Sequence, residues 1–233
     1  MQKLIEGLVD FRERLLPEYA KRFRELAAGQ NPDALFICCA DSRVVPSLML
    51  SSDPGELFVM RNVGNLIPPA ATLAGDSAGD LSEASAIEYA VLVLGVQHII
   101  ICGHSECGAM KAALSRAQVP GTANLGKWLH HADAAVSRFQ RDGPLSPGRS
   151  PHDQVSQLNV LVQLEHLMSY PCVREAMAGT TDREPLRLWG WWFDIATGDM
   201  LVYDTQTKSF EILDRREADR LLSLTPDAAS SQR

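Results

Sequence analysis

The sequence predicts an α/β fold, a mostly parallel central β-sheet flanked by helices with an extended N-terminal helical arm. Three observations carry this. The runs "ALFICC" (34–39), "ELFVMRN" (56–62) and "QHIIICG" (97–103) are short, apolar and rich in β-branched or aromatic residues, as buried strands are. Helical patterns lie between them, and strand alternating with helix implies parallel strands with helices on their faces. An amphipathic segment precedes all of it.

In that first segment, Leu4, Leu8, Phe11, Leu15, Tyr19, Phe23 and Leu26 recur every three or four residues, one stripe of a helix that Pro17 is expected to bend or split. No strand precedes it, so packing on a second subunit and packing on its own domain both fit the pattern. Residues 63–81 are rich in Gly, Pro and Ala and read as a loop. "SEASAIEYAVLVLG" (82–95) reads as a helix capped by Ser82 and stopped at Gly95, and "CGAMKAALSRA" (107–117) as another directly after the third strand. A break follows over 141–151, then a helix up to Pro171, then a strand pair over 186–204 around the turn "ATGD". The polar stretch after Arg215 is expected to fray. The expected organisation is one domain over 1–215, with 1–28 as the arm and 216–233 as a tail.

With 233 residues and 45% hydrophobic content, the chain can bury one sizeable core or two small ones, and one domain is favoured. A net charge of -7 speaks against nucleic-acid and anionic-membrane surfaces, which need clustered Lys and Arg, and favours a small or neutral partner. No apolar run approaches the ~18 residues of a membrane span, and the N-terminus is charged throughout, so the expected location is cytoplasmic. The five cysteines form an odd set without the spacings of a disulfide framework, which leaves core filling or metal ligation.

The chemistry collects at two strand ends. The third run ends in "ICGHSECGAM", which puts His104 and Cys107 on the turn between strand and helix, with Gly103 and Gly108 permitting unusual angles and close approach. The first run ends in "CCADSR". If both strands are parallel, the two turns share one edge of the sheet, where ligands gather in such folds. One cysteine from the first turn and the His and Cys of the second form a Cys2His set, which suits Zn2+ with a fourth position open to water, as in catalytic sites. Alternation sends Cys38 and Cys39 to opposite faces, so only one can join; pattern favours Cys39, nearer the strand end. Cys102 and Cys172 read as core. Asp41 and Arg43 could be a solvated ion pair, or could act beside the metal, Asp41 accepting a hydrogen bond from water and Arg43 keeping Asp41 ionised.

"CADSR" followed by "GHSECG" resembles the β-class carbonic anhydrases, closest to the bacterial, cyanobacterial and plant-like branch. The likeness extends through "PGELFVMRNVGNLIP", "AIEYAVLVLGVQHIIICGHSECGAM" and "LWGWWFDIATGDMLVYD". It implies zinc on Cys39, His104 and Cys107, Asp41 and Arg43 as a catalytic dyad, and reversible hydration of CO2 to bicarbonate and a proton through zinc-bound hydroxide. It further implies a substrate cleft of Gln30, Phe58, Val63, Tyr89 and the Gly108 N–H at the interface of a homodimer clasped by the N-terminal helices. One branch of the family carries a second bicarbonate site of Trp, Arg and Tyr, and the matching places here are Phe36, Arg61 and Phe193. Only the Arg remains, so Asp41 is expected to stay off the metal and bicarbonate not to inhibit allosterically. Any of His98, His130, His131, His152 and His166 could shuttle protons, and the sequence singles out none. Competing readings are a zinc hydrolase of CS2 or COS, a non-catalytic zinc protein of a bacterial microcompartment such as the carboxysome, and, weakest, a dithiol redox role. The retained Asp41 and Arg43 argue against lost activity.

Overall fold

The computed structural model describes residues 1–72, 75–77, 81–116, 120–179 and 184–223. Strands β1 (Ala34–Cys39), β2 (Leu57–Asn62), β3 (His98–His104), β4 (Arg187–Phe193), β5 (Met200–Asp204) and β6 (Ser209–Ile212) form one sheet in the order β2-β1-β3-β4-β5-β6. The first four are parallel, and β5 and β6 extend the sheet antiparallel. Around it lie α1 (Gln2–Asp10), α2 (Leu16–Leu26), α3 (Pro46–Met49), α4 (Leu81–Glu88), α5 (Gly108–Ser115), α6 (Ala123–Leu129), α7 (Asp133–Asp142), α8 (Pro151–Leu167), α9 (Pro171–Ala178) and α10 (Arg215–Ser223).

Alternation along β1 builds two core faces. Leu35 and Ile37 pack with Ile99, Ile101, Trp192 and Val160 on the side of α4, α8 and α9, while Phe36 and Cys38 pack with Ile100, Cys102 and Trp191 on the other. A third cluster, with Cys39, Cys107, Met110, Val155 and Leu158, lies at the carboxyl edge. Helix α8 crosses beneath that edge and ties its loops down with buried polar side chains. Ser156 Oγ donates to the His104 carbonyl (2.8 Å), Asn159 Nδ2 to the Gly64 carbonyl (3.1 Å), and Gln163 Oε1 accepts the Ile67 N–H (2.7 Å).

Several expectations need correction. β2 is a half-buried edge strand rather than a buried one. Helix α4 starts at Leu81, so Ser82 lies within its first turn and is not its cap; residue 80 lies outside the described residues. Pro171 does not end a helical region but opens α9, since a proline at the first helical position loses no hydrogen bond. Arg215–Ser223 is helical where fraying was expected; 224–233 lies outside the described residues. Pro17 does split the arm: a wide π turn, Phe11–Leu15, precedes it, because proline has no N–H to continue the α-helical ladder. No residue of Gln2–Leu26 is buried. The arm is held to the loop before β2 by Arg22, which donates to the Pro54 carbonyl (3.1 Å) and Glu56 (3.4 Å).

Candidate metal centre

Cys39 ends β1, His104 ends β3, and Cys107 is the N-cap of α5. His104 is therefore a strand residue, one step earlier than the turn position expected for it. Parallel pairing of β1 with β3, in which Cys38 stands opposite Cys102, brings both carboxyl ends to one edge. All three side chains are buried, and their ligand atoms lie within 4.8 Å of one another.

The turn that carries Cys107 back to this point relies on close approach and one left-handed residue. A Cβ on Gly103 would stand 2.8 Å from Val160 Cγ2 and 3.0 Å from Trp192 Cδ1, so only glycine lets β3 sit this close to α8. Gly108 has open space around it, and neither glycine has a positive φ; the left-handed residue is Glu106, at φ 56°. Glu106 is held there by its N–H, which donates to Asp153 Oδ1 at 2.6 Å.

The donor set fits zinc on the chemistry of its own atoms. His104 Nδ1 lies 2.8 Å from the Ser105 carbonyl and donates to it, which leaves Nε2 as a lone pair; Nε2 is buried and has no hydrogen-bond partner. Cys39 Sγ accepts the Gly64 N–H at 3.3 Å. The Cys107 thiol beside it, ahead of the backbone N–H groups and against the cost of burial, holds Cys39 below the usual thiol range. The Cys39 thiolate in turn, together with burial, pushes Cys107 up. A divalent cation binding here takes the place of the thiol protons. Cys38 and Cys102 lie on the other sheet face and Cys172 on α9, so none completes a fourth position.

Asp41 and Arg43 face each other beside this set. Arg43 Nε donates to Asp41 Oδ1 (2.9 Å) and Nη2 to Oδ2 (2.7 Å), a two-point pair. Arg43, with burial opposing, holds the Asp41 carboxyl well below the usual range. Asp41 Oδ2 is 4.0 Å from His104 Nε2. Arg43 Nη2 also donates to the Glu106 carbonyl at 3.1 Å, which links the two turns. Behind them Arg61 Nη2 donates to the carbonyls of Cys39 (3.1 Å) and Asp41 (2.7 Å).

The five expected cleft residues divide. Val63 is beside the metal set: its neighbour Gly64 bonds Cys39, and Trp128 Nε1 donates to the Val63 carbonyl at 2.7 Å. Gly108 opens α5 directly after Cys107. Phe58 and Tyr89 meet each other, with ring centroids 5.9 Å apart. Phe58 pairs with Leu35, however, whereas Asn62 pairs with Cys39, so Phe58 lies four residues, about 13 Å, back along the strand. Gln30 lines a shallow pocket with Arg22, Asn31 and Glu56 ahead of β1, at the opposite end from the metal set. One chain does not bring these three to its own metal residues. Sequence reading missed Trp128, Asp153, Ser156 and Asn159; the signal for the last two was polar residues at helical spacing within an otherwise apolar stretch of α8.

Comparison with known proteins agrees with this geometry. The family model described as carbonic anhydrase matches residues 34–200. The carbonic anhydrase of Pseudomonas aeruginosa is 40% identical over 210 residues, covering 90% of this chain and 90% of that one. That of Synechococcus elongatus is 41% identical over 205 residues, 86% of this chain and 71% of that protein. Among solved structures, the β-carbonic anhydrase CcaA superposes with a TM-score of 0.80 at 38% identity, covering 91% of this chain and 98% of that one. One of two tetrameric β-carbonic anhydrases of Sordaria macrospora superposes with a TM-score of 0.73 at 30% identity, over 86% and 95%. With a buried Cys-His-Cys set at the carboxyl edge of a parallel sheet and relatives of this kind along most of its length, the chain belongs to the β-class carbonic anhydrases.

Proposed function

We propose that this carbonic anhydrase converts CO2 and water to bicarbonate and a proton, reversibly, with Asp41 and Arg43 as its catalytic dyad beside a zinc ion on Cys39, His104 and Cys107. Bound zinc supplies Lewis acidity that lowers the pKa of water to about 7 in carbonic anhydrases. Asp41, kept ionised by Arg43, accepts a hydrogen bond from the attacking oxygen and turns its lone pair toward CO2. The Gly108 N–H, at the first position of α5, donates to a bicarbonate oxygen. Val63 gives the neutral substrate an apolar wall. The observation that carries the reading is the partnerless, buried Nε2 of His104 facing two sulfurs, with a doubly held Asp41 beside it.

Stopped-flow CO2 hydration with metal analysis, on wild type, Asp41→Ala and Cys39→Ser, tests it. Wild type should carry zinc and be active. Cys39→Ser should lose both, and Asp41→Ala should keep zinc while kcat/KM falls about 100-fold or more. Full activity with zinc absent would sink the mechanism.

Gln30, Phe58 and Tyr89 act in the cleft of a second copy, in a homodimer or larger oligomer clasped by residues 1–28. Their distance from this chain's metal set and the unburied arm support this, as does the tetrameric state named for the Sordaria relative. The chain to residue 215 works as one domain, cytoplasmic, inside a carboxysome or outside one. The five free thiols fit a reducing compartment, and among the described residues no helix is long and apolar enough to cross a membrane.

Bicarbonate does not inhibit allosterically. Phe36 and Phe193 offer no hydrogen-bonding side-chain group, Arg61 is engaged on the Cys39 and Asp41 carbonyls, and Arg43 holds both Asp41 oxygens. A metal-bound structure with an Asp41 oxygen ~2.0–2.2 Å from zinc would overturn this.

A further inference from the structure

Hydration of CO2 forms a bond between a water oxygen and carbon and leaves one proton to be carried out for each bicarbonate made. Imidazole is the side chain whose ordinary titration falls between pH 5 and 8, which suits it to carry that proton. Five histidines remain besides His104. His98 begins β3, at the end of the strand away from the metal set, and accepts from Trp189 Nε1 (3.2 Å). His130 pairs with Asp133 on the surface (2.8 Å), and His166 bonds the Ile67 carbonyl (2.6 Å). His131 lies edge-on to Trp128, 5.4 Å between centroids, behind the Val63 wall.

His152 stands differently. Its Nε2 lies 3.1 Å from Glu106 Oε1, 3.1 Å from Ser150 Oγ and 3.8 Å from Asp153 Oδ1. Glu106 is the residue that the dyad already holds: its carbonyl takes Arg43 Nη2, its N–H goes to Asp153, and its carboxylate also takes Lys111. One residue thus joins the dyad to the imidazole. The His152 side chain is 20% exposed, enough to meet buffer.

We propose that His152 is the proton-transfer group of this enzyme, with Glu106 and Asp153 as the residues that position it. This rests on the hydration chemistry above. With Nε2–H donating to the Glu106 carboxylate, Nδ1 is the nitrogen left to take a proton. The proton released in the hydration step crosses the gap to Nδ1 through bridging water. The imidazolium so formed keeps its Nε2 beside the Glu106 and Asp153 carboxylates, with Lys111 on the Glu106 carboxylate and Arg43 on the Glu106 carbonyl as the neighbouring cations, and it releases the Nδ1 proton to external buffer. The imidazole ends as it began, and the bicarbonate and the buffered proton account for all the atoms of CO2 and water.

A shuttle limits turnover but not CO2 capture, so it lowers kcat and spares kcat/KM. In His152→Ala and His152→Gln, stopped-flow kcat at low buffer concentration should fall about tenfold or more, with kcat/KM and zinc content within twofold of wild type. Millimolar imidazole should restore kcat. Oxygen-18 exchange should show slower release of labelled water with unchanged interconversion of CO2 and bicarbonate. His131→Ala and His130→Ala should match wild type. Unchanged kcat in both His152 variants, an equal fall in kcat and kcat/KM that imidazole does not rescue, or a kcat loss in His131→Ala alone would each overturn the assignment. Failure of the hydration reading itself would look different, as wild type without CO2 hydration.

Discussion

Cys38 and Cys39 are neighbours in sequence and opposites in chemistry, because one residue of β strand is half a turn of side-chain direction. Cys38 is fully buried against Phe36 and Cys102, and burial, with Arg61 opposing it, pushes its thiol up to about 12. Cys39 belongs to the metal set and is held below the usual thiol range by Cys107. A serine at 38 therefore leaves zinc and activity in place and puts a hydroxyl into a packed apolar face, at a cost of about 1–3 kcal/mol of unfolding free energy. Urea denaturation beside zinc analysis separates the two roles, and zinc loss in Cys38→Ser equal to that in Cys39→Ser would refute the division. Alternation made this pair legible as "one of two" from the chain alone. Position near the strand end leaned toward Cys39 and family resemblance settled it, and the structure supplies a physical cause in the Gly64 N–H and the approach of Cys107.

Among elements, β1, β3 and β4 were legible because apolar runs between turn signals have few other uses, and the two motifs were legible because parallel strands bring their carboxyl ends together. What was not legible lies where one residue type serves two ends. Pro171 stops a helix and starts one with equal ease, and short β6 has no periodicity to read. The segment 143–150 read only as a break, yet it is fastened: Arg149 Nη1 pairs with Asp194 Oδ2 at 2.8 Å, and its guanidinium lies 4.3 Å from the Trp192 ring centre. Asp194 follows β4, so this clamp fixes the loop ahead of α8 against the sheet. Burial works to raise the Asp194 carboxyl, and Arg149 with the backbone N–H groups of Ala196 and Thr197 outweighs it, so the folded value lies below the usual one. A depressed carboxyl stabilises the fold above its unfolded value, near 3.9, and that stabilisation disappears as pH falls through the folded value. Arg149→Met should thus be less stable than wild type at pH 6 to 7, by about 1.5–3 kcal/mol. The gap should narrow below about pH 4 to the part owed to the Trp192 contact. Denaturant midpoints against pH measure it, and a gap constant from pH 3 to 7 would count against the ion pair.

At the scale of the whole molecule, one chain holds two separate groups: a metal set with Asp41, Arg43, Val63 and Gly108, and, toward the other end of the sheet, the apolar pair Phe58 and Tyr89 and, ahead of β1, Gln30. The sequence named all ten of these residues, the five of the cleft through resemblance alone, but no spacing rule could say that they belong to different ends, because that depends on strand register. Leu4 and Leu8, 67% and 70% exposed, belong to a stripe that a lone chain leaves in water. In a symmetric dimer each substitution occurs twice. Replacing both leucines with glutamate then removes four apolar contacts, on the order of 6 kcal/mol at ~1.5 kcal/mol for each leucine, or more than about 10⁴-fold in Kd. The double variant should sediment as a monomer at concentrations where wild type is associated. Its zinc content should be unchanged, since the metal residues lie within one chain, while kcat/KM for CO2 falls with the loss of the partner's Gln30, Phe58 and Tyr89. A monomer as active as wild type would mean that each chain's cleft is complete by itself and that the distant trio serves only to support the arm.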